Sequence, residues 1–131
     1  MQRTKGFTIL ELLVVIAIIG ILATVTIGML ADSRTKAKVA AAQSTLKSVY
    51  PLVVACMDEG SELNAMTSTA GGGTICDASS VVWPEIGGDW AYDTDPASTP
   101  DSNLFTYSAS DVNGNSVTCD EANGCVVALA E

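Results

Sequence analysis

Four cysteines, a single carboxylate inside an apolar run and the absence of any histidine set the chemistry open to this 131-residue chain. Cys56, Cys76, Cys119 and Cys125 are an even set in a small domain, which reads as two disulfides formed in an oxidising compartment. A zinc site would want a C-x-x-C pair or imidazoles, and the chain has neither. Glu11 stands at the leading edge of an uncharged stretch, where a bare carboxylate costs about 2–3 kcal/mol near a bilayer centre and less near its interface. Such a residue needs a partner. Catalysis finds no support. There is no histidine, no Gly-x-Ser-x-Gly, no phosphate-cradling loop and no convincing carboxylate pair, so no catalytic residue, metal ligand or cofactor is expected.

The stretch that must position Glu11 is residues 6–31, GFTILELLVVIAIIGILATVTIGMLA. Its charge-free part, from Leu12 to Ala31, spans roughly 30 Å as a helix, the thickness of a bilayer's hydrocarbon core. A secretory signal has a shorter apolar core and a small-residue cleavage site after it, which does not fit a run this long. Arg3 and Lys5 precede the run, but Arg34, Lys36, Lys38 and Lys47 follow it, so counting basic residues slightly favours a cytoplasmic C-terminal part. The cysteines argue for the outside, and they carry more weight.

From Lys5 the chain reads Lys-Gly-Phe-Thr-Ile-Leu-Glu-Leu-Leu-Val-Val-Ile-Ala-Ile-Ile-Gly-Ile-Leu-Ala. This run resembles the N-terminus of type IV prepilins and pseudopilins: a short basic leader ending in Gly, then Phe, then Glu four residues on, opening a long apolar helix. The resemblance covers about 25 residues, and beyond them it is one of architecture alone. It implies that residues 1–6 are a leader, that a membrane-embedded prepilin peptidase cuts between Gly6 and Phe7, and that the new Phe7 amine is methylated. It implies that the Glu11 carboxylate attracts the Phe7 amine of a neighbouring subunit as helices bundle into a homo-oligomeric filament. Pairing removes the penalty of an unpaired charge in a helix bundle and fixes the axial register. A pilus assembly platform with its ATPase would be further partners. The subunit would wait as a single-pass protein in the cytoplasmic membrane and end in a cell-surface filament. Many family members carry a proline near the position of Gly28, which this chain lacks.

Charge divides the chain sharply. Through Lys47 there are six Lys and Arg against two acids, net +4; after it come thirteen acids and no base, −13. An all-acidic outer part repels nucleic acid, so direct nucleic-acid binding is not expected. Beyond Asp32 the apolar residues become periodic at Val39, Ala42, Leu46, Val49, Val53 and Cys56, one face of an amphipathic helix. Pro51 should kink that helix, and Asp58-Glu59-Gly60 should stop it.

Residues 61–80 are rich in Ser, Thr, Ala and Gly and read as a loop, which Cys76 would tie down. Val81–Trp83 reads as a short strand ended by Pro84, Trp90–Tyr92 as a short apolar run, and Asp93 to Asn103 as a linker. Leu104–Ala109 and Ser116–Cys119 flank Asn113-Gly114, the preferred pair for a two-residue hairpin turn, and Cys125–Leu129 makes a third strand. Asp111–Asn115 is similar to a calcium loop, but its glycine comes too early for that spacing. Asp89, Asp93, Asp95 and Asp101 are a weaker calcium candidate. Trp83, Trp90, Tyr92, Phe105 and Tyr107 suit a packed sheet face. Of the three possible cysteine pairings, the tight Cys119–Cys125 loop favours bonding those two, leaving Cys56 with Cys76.

The fold expected is α+β: a long N-terminal transmembrane and stalk helix whose outer half packs on a small antiparallel β-sheet. The organisation is leader 1–6, filament-core helix 7–31, amphipathic helix 32–59 and a disulfide-stapled head 60–131. The function expected is a structural subunit of a type IV pilus-like filament. Two alternatives stand beside it: a pseudopilin of a type II secretion or DNA-uptake machine, and a membrane-anchored extracytoplasmic binding module that does not assemble.

Overall fold

The computed structural model describes residues 6–93 and 95–130. The leader therefore lies outside the described residues except for Gly6. One helix, α1 (Ile9–Asp58), runs through about two-fifths of the described chain. It starts where it does because Thr8 and Glu11 cap it (geometry below). It stops with the Gly60 N–H donating to Met57 O at 2.9 Å and the Ser61 N–H donating to Cys56 O at 3.0 Å. That bond pair is the Schellman closure, which satisfies carbonyls the helix would otherwise orphan. Pro51 lies inside α1, which continues through it to Asp58.

The chain divides into two compact units, one ending at Lys36 and the other beginning at Ala37. The first is helix alone. Its apolar side chains, from Ile9 to Leu30, are all exposed. The helix meets the length and composition needed to cross a membrane, and none of its most apolar window is buried.

The second unit buries a core. All six residues of the periodic stripe from Val39 to Cys56 are buried, and Met57 joins them. Over them lies an antiparallel sheet: β1 (Trp90–Tyr92), β2 (Ala97–Thr99), β3 (Leu104–Asp111), β4 (Ser116–Asp120) and β5 (Gly124–Ala128). The order is β1-β3-β4-β5, with β2 also pairing β3. Alternation along β3 and β4 puts Phe105, Tyr107, Ala109, Val117 and Cys119 into the core. The five aromatics read as sheet-face packing are all buried. Trp83, Tyr92, Phe105 and Tyr107 form a linked cluster, with ring centroids 5.4–6.2 Å apart. The Tyr107 hydroxyl donates to Leu46 O at 3.0 Å, tying sheet to helix.

Several local expectations are corrected. Val81–Trp83 is not a strand: Val82 makes one isolated bridge to Thr74, and Val81 and Val82 are exposed. Pro84 has no N–H to extend the ladder, and its carbonyl is taken by the Tyr92 hydroxyl at 3.1 Å. The segment from Asp93 to Asn103 is not a bare linker: it holds β2 and a 3-10 turn, Pro100–Ser102, which closes when the Asn103 N–H reaches Pro100 O at 3.1 Å. Its Pro, Asp and Ser content concealed a strand that exists because β3 offers it an edge.

The β3–β4 turn is also different. Gly114 takes φ 88° but Asn113 does not have positive φ, so this is not the two-residue Asn-Gly turn. The Asp111 N–H instead donates to Asn115 O at 2.9 Å, and the Gly114 N–H to Asp111 O at 3.1 Å. That is a three-residue loop with glycine in the left-handed position. The Asp111 carboxylate drives it, accepting the Asn113 and Asn115 N–H groups at 2.9 Å each.

Candidate functional site

Gly6 and Phe7 precede the first helical residue, and both are exposed, Phe7 to 85%. The Gly6–Phe7 bond thus lies in non-helical chain. The helix then opens on a capping box. Thr8 donates its backbone N–H to a Glu11 carboxylate oxygen at 3.0 Å and its hydroxyl to the same oxygen at 2.9 Å. The Glu11 N–H donates back to the Thr8 hydroxyl oxygen at 3.2 Å. Reciprocal bonding of this kind satisfies two orphan donors at a helix start, and a carboxylate there also meets the favourable end of the helix dipole. Within one chain, then, Glu11 has a local partner in Thr8. The Thr-x-x-Glu spacing carries this signal in the sequence. Glu11 and Phe7 sit at the head of the fully exposed apolar stretch of α1.

The cysteines form two disulfides, Cys56–Cys76 and Cys119–Cys125, with no free thiol among the described residues. The first joins the last turn of α1 to the Ser/Gly-rich loop. That loop is also held by a bridge between Leu63 and Cys76 and by Trp83, whose indole N–H donates to Asn64 O at 3.0 Å. Leu63 and Ile75 from this loop enter the core, which its polar composition did not announce, and Ile86 joins them from just beyond it. Its glycines are structural: Gly71 has φ 123°, and a Cβ there would sit 2.5 Å from the Pro84 carbonyl oxygen.

Among the described residues no three His, Cys, Asp or Glu side chains come together as metal ligands. Of the calcium candidates, Asp89 pairs with Lys38 at 2.9 Å and Asp93 accepts the Ser110 hydroxyl. Burial works to raise the Asp111 carboxyl, but the bonds from Asn115 and Asn113 outweigh it and hold the group below its ordinary value. Burial pushes Tyr92 up to about 12 and Tyr107 higher still. The tyrosine shifts describe a sealed core, and the Asp111 shift a hydrogen-bonded turn.

Residues 1–27 match the prokaryotic N-terminal methylation motif, the type IV pilin signal. The N-terminal stretch of this chain is thus similar to that of type IV pilins. Two curated relatives, both named fimbrial protein and both from Pseudomonas aeruginosa, are each 36% identical over 63 residues, 48% of this chain. The match covers 41% of their own length, so the chain spans about two-fifths of the curated relatives it matches. No solved structure matches. The pilin signal on a long apolar helix, with a five-stranded antiparallel sheet behind it, is the α+β pilin-like fold. Both comparisons are with fimbrial, pilin-type sequences.

Proposed function

We propose that this chain is a structural subunit of a type IV pilus-like filament. It enters the cytoplasmic membrane through α1, is cut between Gly6 and Phe7 by a prepilin peptidase, and is methylated on the new Phe7 amine. It then leaves the membrane for a surface filament built by an assembly platform and its ATPase. The observation that carries this reading is the exposed apolar stretch of α1, most of which lies within the methylation motif. Such a surface needs lipid first and other copies of itself afterwards. On bundling, the Phe7 amine of a neighbour competes with Thr8 for the Glu11 carboxylate. An amine offers full charge where the hydroxyl and amide offer dipoles, so the neighbour wins in a dry bundle. The head, with eleven of the thirteen acids that follow Lys47, then forms the outer surface.

The intact mass of protein sheared from cell surfaces, with and without reductant, tests this. The expected mass lacks residues 1–6, gains one methyl group and lacks the four hydrogens of two disulfides. Full-length protein confined to the membrane fraction overturns the filament reading and leaves the anchored module. Processed protein that never reaches sheared material points to a pseudopilin retained in a secretion or uptake machine.

A further inference from the structure

Bases and acids occupy different stretches of this chain, and that separation needs a physical answer. Every Lys and Arg lies at or before Lys47, so the head has no cation of its own beyond that point. Yet α1 ends in Asp58 followed by Glu59, with no basic residue in its last turn. Acids at a helix C-terminus sit against the negative end of the dipole, where cations are favoured. Beside that last turn is a groove of about 280 Å3. Tyr50, Val54, Met57 and Phe105 supply its apolar walls, and Asp58 and Glu121 flank it. Glu121 is held at the edge by accepting the Phe105 N–H at 3.3 Å. An apolar wall with carboxylates at its rim matches a long basic side chain, whose stem lies on the wall while its charge meets the acids. The half-buried Tyr50 ring, edge to face with the buried Phe105 ring 5.4 Å away, adds an aromatic group suited to a cation.

We propose that this groove takes a basic side chain from α1 of a second copy of the chain. The occupant is the run from Arg34 to Lys47, since no other part of the described chain carries a base. Within it Lys36 pairs with Asp32 and Lys38 with Asp89, whereas Arg34 and Lys47 make no salt bridge among the described residues. Lys47 lies near the Tyr50 end of its own chain's groove but cannot meet that chain's Asp58: ten helical residues lie between the two, which puts them about 16 Å apart along the axis. The contact joins two different surfaces, groove to basic run, so it is heterologous and propagates rather than closing on itself. That is the symmetry a filament needs, and the proposal rests on the filament reading above. It adds a second register outside the bundle: copies packed level with one another put like charges side by side, and axially staggered copies put base on acid.

The test uses the full chain produced in cells that assemble it, comparing wild type with three variants. The first carries Arg34→Glu and Lys47→Glu, the second Asp58→Lys and Glu121→Lys, and the third all four changes. Intact mass of the membrane fraction checks processing and both disulfides in each. The expected result is at least about tenfold fewer sheared filaments from the first two, with processing intact, because like charges then face each other. The four-fold variant restores the yield. Wild-type yields from the first two variants, or no recovery in the third, overturn the contact while leaving the filament reading in place. A wild type that is processed but forms no filaments overturns both. Should a variant lose its disulfides, zero-length carbodiimide coupling of wild-type filaments decides instead. A coupled peptide joining a lysine of the Arg34–Lys47 run to Asp58 or Glu121 supports the contact, and coupling of those lysines to other acids only overturns it.

Discussion

The two parts of α1 obey opposite rules although one helix contains both. Before Lys36 the apolar residues cover every side, and none of the most apolar window is buried. After Ala37 they retreat to a stripe, and every residue of the stripe from Val39 to Cys56 is buried. A helix apolar on all sides has no preferred neighbour within its own chain; it is matched to a surrounding medium or to a bundle. A striped helix specifies one cover. The first part thus encodes an environment and the second a fold. Changes that look alike in sequence should therefore act on different observables in the two parts.

Glu11→Gln gives the largest effect, and only on assembly. It keeps the side chain's shape and part of the Thr8 cap but removes the charge that would meet a neighbour's Phe7 amine. An uncompensated buried charge costs about 3–5 kcal/mol, so sheared filaments should fall below detection. The head should melt unchanged, followed by circular dichroism of the detergent-solubilised chain. Normal filament yield from this variant would mean that Glu11 serves only as the helix cap.

A matched pair sharpens the contrast further. Leu46 is fully buried, and Leu22 is 60% exposed. Leu46→Ala should destabilise the head by about 3 kcal/mol in chemical denaturation, through lost burial and the cavity left behind. Leu22→Ala should leave that denaturation curve within about 0.5 kcal/mol of wild type. If both variants shifted it equally, the apolar first part of α1 would be contributing to the head.

How much of this was legible in the sequence follows the same divide. The stripe could be read because helical period is a local property of α1, and its six positions are all buried. The β3 and β4 strands could be read for the same reason, since alternation is local. The long loop could not. Leu63 and Ile75 enter the core from the Ser/Gly-rich loop, and Ile86 from just beyond it, because a disulfide, single bridges and hydrogen bonds place them, and none of these has a period. β2 was hidden for a related reason: strand character at Ala97–Thr99 comes from the open edge of β3, not from its own residues. At the N-terminus, Gly6, Phe7 and Glu11 stood out by motif. Thr8 did not, although its capping role was written in the Thr-x-x-Glu spacing.

The disulfides extend the comparison within the head. Cys56–Cys76 joins helix to loop across 20 residues, and Cys119–Cys125 closes a hairpin across 6. Loop-closure entropy makes the first the larger, at about 3 kcal/mol. Replacing Cys56 and Cys76 together by Ser should lower the denaturation midpoint most and free Leu63 and Ile75 to exchange. Replacing Cys119 and Cys125 should cost less, since five residue pairs between β4 and β5 already hold that register. Amide exchange of the 61–83 segment separates the two cases.

A smaller effect is expected at alkaline pH. Tyr92 titrates at about 12 in the folded head, against 10 for an ordinary tyrosine, and Tyr107 higher still, both because burial disfavours the phenolate. Raised folded values mean that the stability held in these phenols is complete below pH 10 and drains away as the pH climbs through 12. Head stability should therefore fall between those limits. Tyr107→Phe should flatten part of that fall while losing about 1 kcal/mol at neutral pH, the net worth of its bond to Leu46 O.

The smallest effect separates a satisfied core group from an unsatisfied one. The Trp90 indole N–H is buried with no partner in the described protein, unlike that of Trp83, which bonds Asn64 O. Removing a buried donor that bonds nothing relieves a desolvation cost, whereas removing one that bonds a carbonyl orphans the acceptor. Trp90→Phe should thus lose only the volume of the smaller ring, offset by the relieved donor, for a net change within about 1 kcal/mol. Trp83→Phe, with the same change in volume, should cost clearly more. Equal losses at the two sites would show that Trp90 finds an acceptor after all, with an ordered water the simplest one.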